Sequence, residues 1–359
     1  MATLKLNFTS LYDFQKAFPT EASCIRFLEK KRWPNGVVSP YAPTSKVYIY
    51  KQKGRYTCKN TGKDFNVRTG TIFGDTKIPL RKWFLAIFLV VTCPKGISAT
   101  KIKRDIGVSY KTAWFLLHRI RETFTDNGEP FTSEVEIDEI FVGGKNGRRH
   151  WDRKCPLSKG RSHQDKKPVL GMLQRDTGNG KRVICEVVPD TRQQNLTMPI
   201  LEHVDLTAVL MVDDWNGYGF VDKIYETYSV DHGRKQYADG DIYTNTIEGF
   251  WGNYCKRAFY GCYNWIKGSH MHRYFNEFAF RYNYSQMSEK DRFSKFFDNI
   301  EHRLTYKQLV NENKDRNLQP LAKTSAEQRK KKKQMQDAAN ATTTSTAQGV
   351  TFTYTTAGQ

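Results

Sequence analysis

The sequence predicts an α/β domain that follows a small β-rich region and a helical region. Residues 1–75 are polar and basic, and segment 46–67 alternates aromatic or β-branched residues with basic ones around glycine turns. This pattern is typical of short antiparallel strands. From Pro79 the apolar residues recur at helical spacing, which predicts helices. After a loop at 125–133, apolar runs of strand length alternate with helical segments, as in an α/β domain.

The positive charge is concentrated in the first third of the chain. There are 57 basic and 37 acidic residues, a net charge of +20. Residues 1–125 hold 23 basic and 7 acidic residues, residues 126–322 hold 28 of each, and residues 323–359 hold 6 and 2. Such a surplus indicates a polyanionic partner, because each phosphate neutralised releases a counterion. A membrane surface is the competing partner, but no basic amphipathic helix with a clean apolar face supports it.

Membrane-spanning and secreted proteins are disfavoured. The longest apolar run, 83–93, has 11 residues, against the roughly 20 that a membrane span needs. The N-terminus lacks an apolar signal-peptide core. The seven cysteines are odd in number and include no CxxC pair, which argues for a reducing compartment. We expect a cytoplasmic, nucleoid-associated protein in a bacterium, or a nuclear one in a eukaryote, where the basic run Arg329–Lys333 could serve import.

A helix-turn-helix outline lies inside the basic region. Two short predicted helices flank the turn Gly107-Val108-Ser109, as in many DNA-binding modules. An ordinary structural αα-hairpin is the alternative. Five basic side chains are available for phosphates or base edges: Lys101, Lys103, Arg104, Lys111 and Arg119.

Three acids in the charge-neutral region could carry chemistry. Asp138 lies within a predicted strand, Asp213 ends a buried one 75 residues later, and Glu248 lies one turn into a predicted helix. Carboxylates so placed can hold two divalent cations roughly 3.5–4 Å apart for phosphoryl displacement, and oxygen ligands suit Mg²⁺ or Mn²⁺. Spacing alone leaves other combinations open, since the region holds 28 acids and Asp213-Asp214 could simply begin a turn.

Several strings resemble the signatures of ISXO-two-like insertion-sequence transposases, bacterial relatives of Merlin elements with an RNase-H-like DDE domain. They are VEIDEIFVGGK, PVLGML, VVPDT, VDDWNGY, TNTIEGFWGNYCKRAFYGCY and HMHRYFNEFAFRYN, preceded by TGTIF, LRKWFLAIFLV and KTAWFLLHRIRE. The match runs from about Arg32 to Asn283 in the family's order, and its catalytic-helix string is quite specific.

The resemblance implies a role for each matching acid. Asp138 in VEIDE is the first acid of the triad and Asp213 in VDDW the second. Glu248 is our preferred third ligand because a carboxylate binds a hard dication better than an amide does; Asn245, three residues earlier, is the alternative. Lys256 resembles the basic residue that follows the triad and contacts the terminal phosphate. Two Mg²⁺ or Mn²⁺ ions are the implied cofactors.

The sequence departs from the family at its zinc ribbon. The first ligand pair reads Ser39-Pro40-Tyr41-Ala42 and the second Cys58-Lys59-Asn60-Thr61, so three of four thiolates are missing. One cysteine cannot form a tetrahedral structural site, and structural zinc is not expected. We predict a ribbon-like β element held by aromatic packing.

The resemblance gives the expected organisation. The predicted parts are a degenerate zinc-ribbon-like region (1–75), a helix-turn-helix-like DNA-binding region (76–125), an RNase-H-like mixed-sheet catalytic domain (131–285), a C-terminal extension (286–320) and a disordered basic, Thr/Ala-rich tail (321–359).

The expected function is DNA transposition. The implied partners are transposon ends, target DNA and further copies of this chain in a synaptic complex, and no membrane. Two alternatives stay open: a non-catalytic DNA-binding protein derived from a transposase, and a nuclease that cuts without joining.

Overall fold

The computed structural model describes most of the chain up to residue 315. The described residues are 6, 8–50, 54–126, 128–143, 149–156, 158, 162, 165–176, 180–213, 218–219, 221–230, 243–301 and 303–315. The predicted tail at 321–359, with its basic run, lies outside them.

Two helices and a small sheet form the first part of the chain. They are α1 (Leu11–Ala17), α2 (Glu21–Arg32), β1 (Val47–Ile49), β2 (Tyr56–Cys58) and β3 (Asp64–Phe65). The strands pair antiparallel in the order β1-β2-β3, as the sequence predicts. The two helices are a correction, since only strands are expected here. Their N-terminal caps, Ser10 and Thr20, are a signal in the sequence that could have revealed them.

Three helices follow, with the turn that the sequence predicts. They are α3 (Leu80–Thr92), α4 (Ala99–Ile106) and α5 (Tyr110–Glu122). The hydroxyls of Ser98 and Ser109 cap α4 and α5 by accepting hydrogen bonds from backbone N–H groups. Gly107 ends α4 with a φ of 61°, a conformation that favours glycine. A DNA-reading role for these helices stays a prediction.

Within the described residues, five strands form a mixed sheet. They are β4 (Glu134–Val142), β5 (Lys167–Gln174), β6 (Arg182–Val187), β7 (Val209–Asp213) and β8 (Glu226–Val230). The strand order is β6-β5-β4-β7-β8. β4, β5 and β6 pair antiparallel, whereas β7 and β8 run parallel to β4.

Helices cover both faces of this sheet. On one face, Val135 and Ile137 of β4 pack with α6 (Gln193–His203). On the other face lie α7 (Asn245–Phe250), a π-helical turn (Trp251–Lys256), α8 (Arg257–Gly261) and α9 (Met271–Asn283). Because strand side chains alternate between faces, Glu136 and Asp138 point toward the α7 layer. The mixed α/β class is confirmed, and it is consistent with a DDE transposase domain.

An aromatic core joins the two ends of the described chain. α10 (Glu289–Phe296) and α11 (Tyr306–Asp315) follow α9. The ring of Phe293 in α10 lies 5.3 Å from Phe14 of α1 and 5.8 Å from Phe84 of α3, centroid to centroid. The segment after α9 therefore packs into the N-terminal helices. Among the residues described above, no helix is both long and apolar enough to cross a bilayer.

Candidate active site

The structure brings Asp138 and Asp213 together on neighbouring parallel strands. The register between β4 and β7 pairs each residue with the one 75 positions later, as far as Glu136 with Met211. The same offset aligns Asp138 with Asp213, the last residue of β7. Both side chains therefore project from the same face of the sheet, which is the face that α7 crosses.

A buried carboxylate fixes the start of α7 to β4. Glu136 Oε2 accepts a hydrogen bond from the Ile247 N–H at 2.8 Å, and its Oε1 accepts one from Arg175 Nε at 2.8 Å. The first N–H groups of a helix have no partner within the helix, so this contact satisfies one of them. Glu136 is fully buried, and the Arg175 charge offsets the cost of burying it. Glu248, the residue after Ile247, is thereby held over β4.

The indole of Trp251 holds Asp138, and its ring lies in space that a glycine on the neighbouring strand leaves free. Trp251 Nε1–H donates to Asp138 Oδ2 at 3.0 Å. Gly171 of β5 is the strand partner of Asp138, and a Cβ atom at Gly171 would lie only 2.4 Å from a carbon of the Trp251 ring. Glycine at this position thus makes room for the ring over the strand.

The three predicted acids interact electrostatically. The pKa of Asp138 is raised from 3.8 to about 6, chiefly by burial. Hydrogen bonds from the Glu139 N–H and from Trp251 act in the opposite direction, whereas the charges of Glu248 and Asp213 raise the pKa further. A carboxylate whose pKa is raised by two neighbouring carboxylates is characteristic of a site that attracts a cation.

The donor set suits a divalent cation. Carboxylate oxygens are the ligands that Mg²⁺ and Mn²⁺ prefer, and a dication would relieve the repulsion that acts on Asp138. In the described part of the chain, no three His, Cys, Asp or Glu side chains already stand close enough to share one metal ion. Asp138, Asp213 and Glu248 therefore fit a metal by charge and donor chemistry, although these three side chains do not form a preassembled ligand set.

Asn245 and Lys256 lie at the two ends of the same helical stretch. Asn245 begins α7 and Lys256 ends the π turn, and both side chains are exposed. In an uninterrupted α-helix, residues eight apart are about 80° apart around the axis. Because a π turn takes in one residue more than an α turn, it reduces the angle between Glu248 and Lys256 to about 20°. Lys256 therefore lies on the Glu248 side of the helix.

Four of the five predicted DNA contacts are exposed. Lys103, Arg104 and Lys111 are solvent-accessible, and so is Lys101, which pairs with Asp105 at 2.7 Å. Arg119 requires a correction because it is buried and donates to the Gly74 carbonyl at 2.7 Å. Its guanidinium also lies over the ring of Trp83. Arg119 therefore holds the fold together and offers no charge to DNA.

The predicted zinc-ligand positions surround one thiol. Ser39 Oγ accepts a hydrogen bond from the Ala42 N–H at 3.4 Å. The hydroxyls of Ser39, Ser45 and Thr61 hydrogen-bond to the Cys58 thiol and lower its pKa to about 6, although the side chain is inaccessible to solvent. Hydroxyl groups, two of them at predicted ligand positions, thus surround the Cys58 thiol. That this sheet is a degenerate zinc ribbon stays a prediction.

Sequence reasoning missed the residues that support the site. It gives no role to Trp251, Glu136, Arg175 or Gly171. Two signals were available in the sequence: an acid inside an apolar strand needs a partner, and a glycine inside a strand marks a close approach. Neither signal identifies the partner, which lies more than a hundred residues away for the pair Trp251 and Asp138.

The structure thus brings two strand-borne acids and a third on α7 to one face of a mixed sheet. Residues 130–283 match the family model of the ISXO2-like transposase domain, the family that the motifs indicate. The chain thus carries an ISXO2-like transposase domain. It is also similar to an uncharacterized protein in the transposable element ISH50 of Halobacterium salinarum. The two are 29% identical over 244 residues, which cover 65% of this chain and 81% of that protein.

Proposed function

We propose that this chain is an active DDE transposase, which binds the terminal inverted repeats of an insertion sequence and catalyses metal-dependent DNA cleavage and strand transfer. The observation that carries this is the meeting of Asp138, Asp213 and α7 on one face of the sheet, where the charges of Asp213 and Glu248 reach Asp138. The match to the ISXO2-like transposase domain supports the same class of reaction.

Asp138, Asp213 and Glu248 would hold two Mg²⁺ or Mn²⁺ ions, with Asn245 as the alternative third ligand. When bound, such ions stabilise the attacking and leaving oxygens of an in-line phosphoryl displacement. The protein's own residues position the ligands: Trp251 fixes one oxygen of Asp138. Lys256, on the Glu248 side of the helix, contacts the phosphate at the transposon end.

The basic N-terminal third of the chain binds the DNA of the transposon end. Lys101, Lys103, Arg104 and Lys111 on α4 and α5 contact phosphates and set the register of the duplex. Both transposon ends must be handled together, so the working form is a homo-oligomer in a synaptic complex. In a bacterial host it acts at the nucleoid.

Labelled DNA from the two flanks of the gene, incubated with Mg²⁺, tests this function directly. Asp138→Asn and Asp213→Asn are expected to abolish both nicking and joining while DNA binding persists. Glu186→Gln is a matched control, because this half-exposed carboxylate lies on β6 of the same sheet, on the face opposite Asp138. If the Asp138→Asn/Asp213→Asn double variant still cleaves, the assigned site is wrong.

One observation favours a second candidate, a DNA-binding protein derived from a transposase without catalysis. Three zinc-ligand positions hold Ser39, Ala42 and Thr61, as expected if one module has decayed. The same assay separates the candidates. Joined product indicates a transposase, nicks alone indicate a nuclease, and binding without either indicates the non-catalytic protein.

A further inference from the structure

Two large aromatic side chains are exposed on the segment that follows α7 and the π turn. Tyr260 and Trp265 are each 78% exposed, the highest values among the large hydrophobic residues described. Tyr260 is in α8, and Trp265 lies in the loop that follows. Aromatic rings of this size normally bury 150–250 Å² each, so leaving two of them in water calls for a partner.

The surface around these rings is positively charged. Residues 249–276 contain no aspartate or glutamate and four lysine or arginine residues. Three of these, Lys256, Arg257 and Lys267, are exposed and lie within four positions of Tyr260 or Trp265 in the chain. Lys95 adds a fourth exposed cation, because its side chain lies 3.9 Å from where a Cβ of Gly261 would be. We call the two rings and these four cations the aromatic-basic surface.

The backbone beneath this surface is firmly anchored. Between the two exposed rings, Tyr263 points inward, donates to Glu277 Oε1 at 2.7 Å and accepts from the Ile97 N–H at 3.0 Å. Gly96 packs against the same ring, so closely that a Cβ there would lie 2.4 Å from the Tyr263 hydroxyl. The loop that leads into α4 is therefore fixed against this segment. The aromatic-basic surface therefore adjoins both the segment after α7 and the loop before α4.

We propose that Tyr260 and Trp265 stack on unpaired bases of the transposon end, while the surrounding cations hold its backbone. This role rests on the proposed function and gives the site a preference for a strand opened next to the cut. Base faces are hidden inside a stacked duplex, so a ring can reach them only where bases are unpaired or flipped out. Aromatic residues interleaved with cations are the usual surface for single-stranded DNA.

A second copy of this chain is a poorer occupant for the aromatic-basic surface. A two-fold interface brings the same patch of both copies together, which would place four cations opposite four cations. Lysine is also depleted in the cores of protein interfaces. Both the charge and the composition favour a nucleic acid.

Binding by the full-length protein distinguishes these occupants. The probes are a fluorescein-labelled duplex from the flank of the gene with a short single-stranded extension, and the same duplex with blunt ends, both in Ca²⁺ or EDTA so that no cleavage is needed. Trp265→Ala and Tyr260→Ala should each weaken binding of the extended duplex about tenfold and leave the blunt duplex unchanged. Trp265→Phe and Tyr260→Phe should retain most of the affinity, since they keep a ring.

Tyr12→Ala is the matched control, because Tyr12 is 66% exposed and lies beside Lys16, outside the aromatic-basic surface. Equal weakening of both duplexes, or of neither, would overturn the stacking role. A change in sedimentation without a change in DNA affinity would also overturn it, and would indicate an interface between copies. If the extended duplex shows the expected losses but the wild type does not cleave in Mg²⁺, the stacking surface stands and the proposed catalysis fails.

Discussion

At the scale of single residues, the orientation of the Asp138 carboxylate depends on Gly171, which has no Cβ atom. Gly171 pairs with Asp138 across the sheet, and the Trp251 ring occupies the space that any larger residue would fill. That ring supplies the hydrogen bond to Asp138 Oδ2. One glycine on β5 therefore makes room for the Trp251 ring of the π turn, which in turn hydrogen-bonds to a carboxylate on β4.

Gly171→Ala should impair strand transfer far more than DNA binding. The added methyl group would overlap the Trp251 ring, which costs about 1–3 kcal/mol of stability in an overpacked core. Displacing the ring also releases Asp138, and a misplacement of about 1 Å can reduce a rate by about 100-fold. Strand-transfer rates and denaturant unfolding measure the two effects.

Gly249→Ala is the control for this substitution. A Cβ at Gly249 would meet nothing within 4 Å, and alanine is favoured over glycine in a helix. The stability of this variant should be unchanged or slightly higher. Equal strand-transfer rates in Gly171→Ala and the wild type would show that Trp251 does not position Asp138.

Asp138 should make the metal-free protein less stable at neutral pH than an asparagine variant. Its folded pKa of about 6 lies above the ordinary 3.8, so the folded state binds the proton more tightly than the unfolded state. The stability that protonation supplies is complete below 3.8 and is lost as the pH rises through about 6. Asp138→Asn should therefore raise the thermal midpoint in EDTA above pH 6 and have little effect near pH 4. An identical difference at both pH values would contradict this account.

At the scale of elements, the β1-β2-β3 sheet can be tested as a ribbon that lacks its metal. Ser39 and Thr61 already hydrogen-bond to the Cys58 thiol, and Ser39 accepts from the Ala42 N–H. The ligand positions thus converge without zinc. The substitutions Ser39→Cys, Ala42→Cys and Thr61→Cys together should create a four-thiolate site that binds one Zn²⁺.

Binding of Co²⁺ as a spectroscopic substitute, followed by its thiolate absorption, measures this restoration. The thermal midpoint should also rise with zinc, since a metal that binds only the folded state stabilises it. Adding Cys58→Ser to the triple variant removes one ligand and is the control. A triple variant that binds no better than this control would show that the four positions do not converge as described.

The sequence predicted elements better where the signal is local. The turn between α4 and α5, the short antiparallel strands of the N-terminal region and the strand positions of Asp138 and Asp213 all follow from short-range patterns. The burial of Arg119 could not be predicted in this way. Lysines and arginines of a predicted amphipathic helix look alike in the sequence, and only tertiary packing decides that Lys111 is exposed while Arg119 lies against Trp83.

At the scale of the whole molecule, a buried charge cluster joins the helical region to the α/β domain. Glu277 of α9 is fully buried, accepts from Arg121 Nε of α5 at 2.5 Å and also pairs with Arg281. Burial raises the pKa of Glu277, but the charges of Arg281 and Arg121 more than offset this and hold the pKa below its usual value. Arg121 and Glu277 are 156 positions apart in the chain, so the sequence alone could not predict this contact.

Glu277→Gln should destabilise the protein by about 3–5 kcal/mol, because removing one partner of a buried ion pair leaves uncompensated charge. Here both Arg121 and Arg281 lose their partner, and the Tyr263 hydroxyl loses a charged acceptor. Asp105→Asn is the control, since the exposed pair of Asp105 with Lys101 is worth only about 0.3–0.5 kcal/mol.

Denaturant unfolding followed by both tryptophan fluorescence and circular dichroism measures the loss. If the cluster joins α5 and α9 into one cooperative unit, both probes should shift together in Glu277→Gln. A loss below 1 kcal/mol, or a shift in one probe alone, would mean that the helical region and the catalytic domain unfold independently.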